Sequence, residues 1–280
     1  MLVLVAIVAS FSFENAVAHI KNEASQFPDI EFSDARFDIV LLVGAGIIPE
    51  TPVFEPDALF TRADLATWAA LAEDLGAGGE TPDTDALATA ALEQRLIASI
   101  DGQATYEDIN TVFFRGLLTP DRPAATPTKG EAASYIATHL TTSAGEALLA
   151  RRGVRTGPAG YAARVELKRN PDGGNTYVIT IGDTSLPMYA HGRVANGPTD
   201  LAQWDGRTVR RSFIRERGDL AVWTYLEAEP ITTPVPGGNS TGPEDPTGSK
   251  ANTNRNLFYG LVAAASGLGL ILFFQGRRSP

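Results

Sequence analysis

Cysteine is absent from the 280-residue chain, so disulfides, thiolate nucleophiles and cysteine metal sites are all excluded. Histidine is nearly as scarce. His19, His139 and His191 are the only three, and none has metal-ligand spacing in sequence with another histidine or a carboxylate. Cations are outnumbered, with 23 Lys and Arg against 33 Asp and Glu for a net charge of −10. A chain so acidic is a poor general binder of nucleic acid, because phosphate affinity rests on Lys and Arg. No phosphate loop or paired-carboxylate constellation stands out. The sequence alone therefore points to no enzyme activity, no cofactor and no nucleic-acid partner.

The charge that is present is unevenly placed. Residues 19–142 hold 7 Lys and Arg against 20 Asp and Glu, whereas residues 145–220 hold 12 against 8. One long apolar run lies near the end, residues 257–274, LFYGLVAAASGLGLILFF, with 18 residues and no charge. As a helix it would reach about 27 Å, close to the roughly 30 Å of a hydrocarbon core. The expectation is a transmembrane helix at 256–275, with Arg277 and Arg278 in a cytoplasmic tail at 276–280. Gly260, Ala263, Ala264 and Gly267 form a small-residue strip on one face, suited to packing against another membrane helix.

At the other end, residues 1–18 form a signal-like apolar segment. Ala16, Val17 and Ala18 before His19 have the small-x-small form of a signal-peptidase site, although no Lys or Arg precedes the apolar run. Asp38 to Ile48, DIVLLVGAGII, imitates the first strand and glycine turn of a dinucleotide fold through Gly44 and Gly46. Pro49 stands at the third glycine position, and Pro52 and Pro56 follow, so the required helix cannot open there.

A helical reading accounts for the same segment. A helix is expected over about 33–45, ended by Gly46, and a second is capped by Thr61 and runs to about residue 75. Residues 85–100 read as a linking helix. The pattern then recurs, with a helix over 106–114, a glycine turn at Arg115-Gly116, and a last helix from Thr128-Lys129-Gly130-Glu131 to about residue 140. Phe27-Pro28-Asp29, Gly46-Ile47-Ile48, Phe54-Glu55-Pro56-Asp57 and Thr61-Arg62-Ala63-Asp64 resemble the S-layer homology (SLH) domains of bacterial envelope proteins, over about residues 25–142. The resemblance implies tandem helical repeats that bind peptidoglycan or another cell-wall polymer, with Arg62 contacting glycan beside Asp64. The chain departs from the family pattern in having Asp64 as the signature acid and Lys129-Gly130 where Arg-Ala is expected.

Beyond residue 143 the pattern turns to short strands, over 161–168, 176–181, 188–194, 208–215 and 220–226, with a short helix at 199–204. A small antiparallel barrel or sandwich of OB type is expected over 143–228. Arg207, Arg210, Arg211, Arg215 and Arg217 read as a solvated strand face or an anionic contact. Residues 229–255, with five prolines, read as a linker.

The fold class read from sequence is thus α+β: an all-α SLH-like module at 19–142, an OB-like β module, and a single C-terminal transmembrane helix. Two functions follow. The first is a non-catalytic accessory subunit of the bacterial inner membrane, mostly periplasmic, that packs its membrane helix against other integral membrane subunits within lipid. The alternative is a glycan-binding tether to the cell wall. Arg62, Asp64 and Lys129 are the candidate glycan or partner contacts.

Overall fold

The computed structural model describes residues 19–75, 83–169, 174–218 and 220–230. The signal-like segment, the linker beyond residue 230, the 256–275 span with Gly260, Ala263, Ala264 and Gly267, and the terminal tail lie outside the described residues.

Among the described residues six helices come first: α1 (Arg36–Gly44), α2 (Arg62–Ala72), α3 (Thr84–Glu93), α4 (Tyr106–Phe114), α5 (Lys129–His139) and α6 (Ser143–Arg151). All but α1 begin at a side-chain cap, supplied by Thr61, Asp83, Thr105, Thr128 and Thr142, whose oxygens accept from the first-turn amides. Helix α1 starts at Ala35 with no such cap, and its residues from Ile39 to Gly44 are all buried. Burial on every side, rather than capping, holds it in place.

Seven strands follow among the described residues: β1 (Val154–Thr156), β2 (Tyr161–Ala162), β3 (Arg164–Arg169), β4 (Asn175–Ile181), β5 (Thr184–Ala195), β6 (Thr208–Arg217) and β7 (Leu220–Ala228), with a 3₁₀ turn at Leu201–Trp204. They form one mixed sheet in the order β1-β6-β7-β5-β4-β3, with β2 also on β6. Strands β5 and β7 are parallel, and every other pair is antiparallel. Phe213, Tyr225 and Ala195 face the core that the helices share. Ile214, Trp223, Leu226 and Val194 face a second core with Trp204.

This corrects the expected architecture. An antiparallel OB-like barrel assumed that consecutive strands pair, but β7 inserts between β5 and β6. The 3₁₀ connection carries the chain past one strand position, which makes the β5–β7 pair parallel. The expected transmembrane helix at 256–275 lies outside the described residues. Among the described residues no helix is long and apolar enough to cross a membrane. The longest, α2 and α5, have 11 residues each and so span about 16 Å, half of a hydrocarbon core.

Helix α1 lies between α5 and the β5–β7 pair, and Gly44 sets how close it comes. A Cβ on Gly44 would lie 2.9 Å from Tyr225 Cβ and 3.3 Å from the Thr224 carbonyl oxygen. Gly46, at φ +75°, then ends the helix, and the Ile47 amide donates to the Leu42 carbonyl at 2.9 Å. The two glycines that imitate a dinucleotide turn serve helix packing and helix termination. Gly44→Ala is expected to destabilise the fold by about 1–3 kcal/mol, as overpacking of a tight contact does, in denaturant unfolding.

Candidate functional site

Three helices begin at the same place in the molecule. The starts of α2, α4 and α5 each carry a full capping box, Thr61 with Asp64, Thr105 with Asp108, and Thr128 with Glu131. In each, the threonine hydroxyl takes the amide of the acid while the acid takes the amide of the threonine, at 2.8–3.2 Å.

The first amide of each helix is left for a neighbour, and the three neighbours close a cycle. Arg62 N donates to the Gly102 carbonyl at 3.0 Å, Tyr106 N to Ala125 at 3.1 Å, and Lys129 N to Ala58 at 2.8 Å. Each acceptor sits three residues ahead of the next helix's capping threonine. A second set of bonds joins the residues just before the caps: Ala104 N donates to Phe60 O at 3.0 Å, and Phe60 N to Pro127 O at 2.9 Å. The third bond of this set cannot form, because Pro127 has no N–H.

The side chains follow the same direction around the cycle. Arg62 reaches Asp108 at 3.5 Å and Lys129 reaches Asp64 at 3.4 Å. Tyr106 completes the set with a hydroxyl whose pKa is raised by burial and then by the nearby charge of Glu131. Thus the first residue of each helix faces the capping acid of the next. A cation in a helix's first turn opposes the helix dipole, so Arg62 and Lys129 depend on these neighbouring acids.

Of the three contact residues singled out by sequence, the structure therefore joins two and sets the third apart. Asp64 and Lys129 stand together on an open groove of about 370 Å³, bordered by Pro49, Thr51, Val53, Glu55 and Trp68. Arg62 serves the α2–α4 junction instead. Lys129, with its side chain 17% exposed, bridges two carboxylates, since Glu55 lies 3.2 Å from it on the other side.

Glu55 is held in a left-handed conformation at φ +62°, which a non-glycine residue adopts only under constraint. The constraint is Asp29. Its carboxylate accepts the amide of Phe54 at 3.0 Å and that of Glu55 at 2.5 Å. The Phe27-Pro28-Asp29 motif thus shapes the groove from a distance.

Sequence reasoning placed all three helix starts, the 106–114 helix included, but named only Thr61 and Thr128 at them and missed Thr105 as a cap. The Thr-x-x-Asp pattern at 105–108 was available, but Tyr106 replaces the expected cation and hides the equivalence. Of the β6 arginines, Arg210 and Arg211 pair with Glu227 at 3.2 and 3.8 Å. His139 packs among Tyr135 and Phe114, with Nδ1 2.7 Å from the Tyr135 carbonyl oxygen. Among the described residues no group of three or more His, Asp or Glu is arranged to hold a metal.

Compared with protein-family models, curated proteins and solved structures, the chain matches none. The site must be interpreted from its own geometry.

Asp29→Ala removes the acceptor for two loop amides, one of them on buried Phe54. A loss of about 1–3 kcal/mol in denaturant unfolding is expected, the cost of leaving such donors unpaired.

Proposed function

We propose that the protein is a non-catalytic binding module that holds a cell-wall glycan in the groove beside α2. The carrying observation is the Glu55–Lys129–Asp64 triad on the wall of an open groove, fixed by the three-helix cycle. A sugar ring offers hydroxyls at its edge and C–H groups on its faces. The triad supplies charged donors and acceptors for the former, and Pro52 and Val53 supply apolar surface for the latter. The resemblance of residues 25–142 to SLH repeats supports the same ligand class.

Binding rather than hydrolysis is favoured by what Asp64 already does. One carboxylate oxygen takes the Thr61 amide and hydroxyl at 3.0 and 2.6 Å, and the other faces Lys129. A group so occupied is poorly placed to move a proton, as a glycosidase carboxylate must. The accessory-subunit reading rests on the 256–275 span, which lies outside the described residues.

Sedimentation of the full chain with purified sacculi tests the proposal. Wild type is expected to sediment, and Lys129→Ala to bind at least about tenfold more weakly, a change of about 1.4 kcal/mol. Arg62→Ala, outside the groove, is expected to change affinity less. Failure of wild type to sediment, or undiminished binding by Lys129→Ala, would overturn the glycan reading.

A further inference from the structure

Strand β5 loses register with β7 between Met188 and Arg193, so Tyr189, Ala190, His191 and Gly192 form a bulge. Bulges of this sort re-aim side chains, and this one is heavily supported. Arg193, only 1% exposed, lies beneath it and donates to the carbonyls of His191 and Gly192. Its guanidinium pairs with Glu50, which also takes Lys21 Nζ at 2.9 Å. Burial would raise the Glu50 pKa, but the two cations outweigh it and hold the carboxyl below its usual range. A Cβ on Gly192 would meet the Met188 methyl at 2.3 Å, so the bulge accepts no larger residue without moving.

The first described residues run alongside this bulge. His19 N lies 2.8 Å from the Ala190 carbonyl oxygen, Val194 N donates to Lys21 O at 3.0 Å, and Lys21 pairs in parallel with Arg193. The sheet thereby brings together two histidines that are far apart in sequence. The His19 and His191 rings stand 6.0 Å apart, inclined by 26°, and the Tyr189 ring is 5.7 Å from His191. Both imidazoles are exposed. The rings are stacked as they stand, and exposed side chains change rotamer readily, so each can turn a nitrogen toward one ion held at about 2.0 Å per nitrogen.

The small-x-small sequence Ala16-Val17-Ala18 ends immediately before His19. Hydrolysis of the Ala18–His19 peptide bond would consume one water, leave a carboxylate on Ala18 and free the α-amine of His19. An amine and an imidazole on one residue chelate a metal together, and His191 adds a third nitrogen. Three nitrogens of this kind favour copper(II) over the other common divalent ions.

We propose that His19, once exposed as the amino terminus, and His191 form a copper(II) site on the β5 bulge, with the His19 amine as third ligand. Glu50 neutralises the two nearest cations, Lys21 and Arg193, and ties the amino-terminal segment to the bulge. The site is independent of the glycan groove, so neither proposal depends on the other.

The test uses the full chain exported by a bacterial host, stripped of metal with a chelator. Intact-mass and amino-terminal analysis should give His19 as the first residue. Titration with copper(II) should then show one tightly bound ion with nitrogen hyperfine structure in electron paramagnetic resonance. His191→Ala should weaken binding by about 100-fold or more, since loss even of a supporting outer ligand costs 10–100-fold. His191→Gln should behave likewise, and unchanged thermal unfolding of either variant shows that the fold survives. The unprocessed chain, made without export, should bind more weakly than the exported one. An amino terminus elsewhere than His19, wild-type copper affinity in either His191 variant, or tighter binding of zinc than copper would overturn the proposal.

Discussion

The helical half of the molecule depends on what becomes of three amides. A helix leaves its first N–H groups without internal partners, and a capping box satisfies only some of them. In α2, α4 and α5 the amide of the first residue goes to the segment that leads into the next helix, from Arg62 to Gly102, Tyr106 to Ala125 and Lys129 to Ala58. Each helix start is thus completed by another, and removing one leaves a buried or half-buried donor in its neighbour. Local capping and tertiary assembly become a single requirement.

The same cycle sorts the charges. A lysine or arginine at the first position of a helix is disfavoured by the dipole, by about 0.3–1 kcal/mol near the surface. Here each such cation lies against the capping acid of the following helix, which already carries the hydrogen bonds of its own box. At the α5–α2 junction Glu55 approaches Lys129 from the far side, and the loop that carries it opens the groove. At the α2–α4 junction Arg62 meets, among the described residues, the single carboxylate of Asp108. Pseudo-equivalent junctions therefore differ in their charge partners because their flanking loops differ.

Much of the local structure was legible in the residues. Thr61 and Thr128 announced their helices through the acid three positions later, and the prolines after Gly46 ruled out a dinucleotide turn. The strand segments were visible from β-branched runs between glycine turns. Their order was not, since nothing in residues 196–207 states that the chain passes over one strand position before β6. Helix α6 was hidden in a short, small-residue stretch whose buried residues are Ala144, Gly145, Leu148 and Leu149. The groove was half legible: Asp64 and Lys129 were singled out, but the left-handed Glu55 and its Asp29 clamp are tertiary facts. The His19–His191 pair likewise exists only because a strand register brings it together.

Native-state hydrogen exchange of the Arg62, Tyr106 and Lys129 amides, followed by NMR, tests the cyclic account most directly. If the three helix starts complete one another, these amides open in one cooperative unit and share a single opening free energy. Exchange of one of them through an independent, much cheaper opening, with the other two still protected, would contradict it.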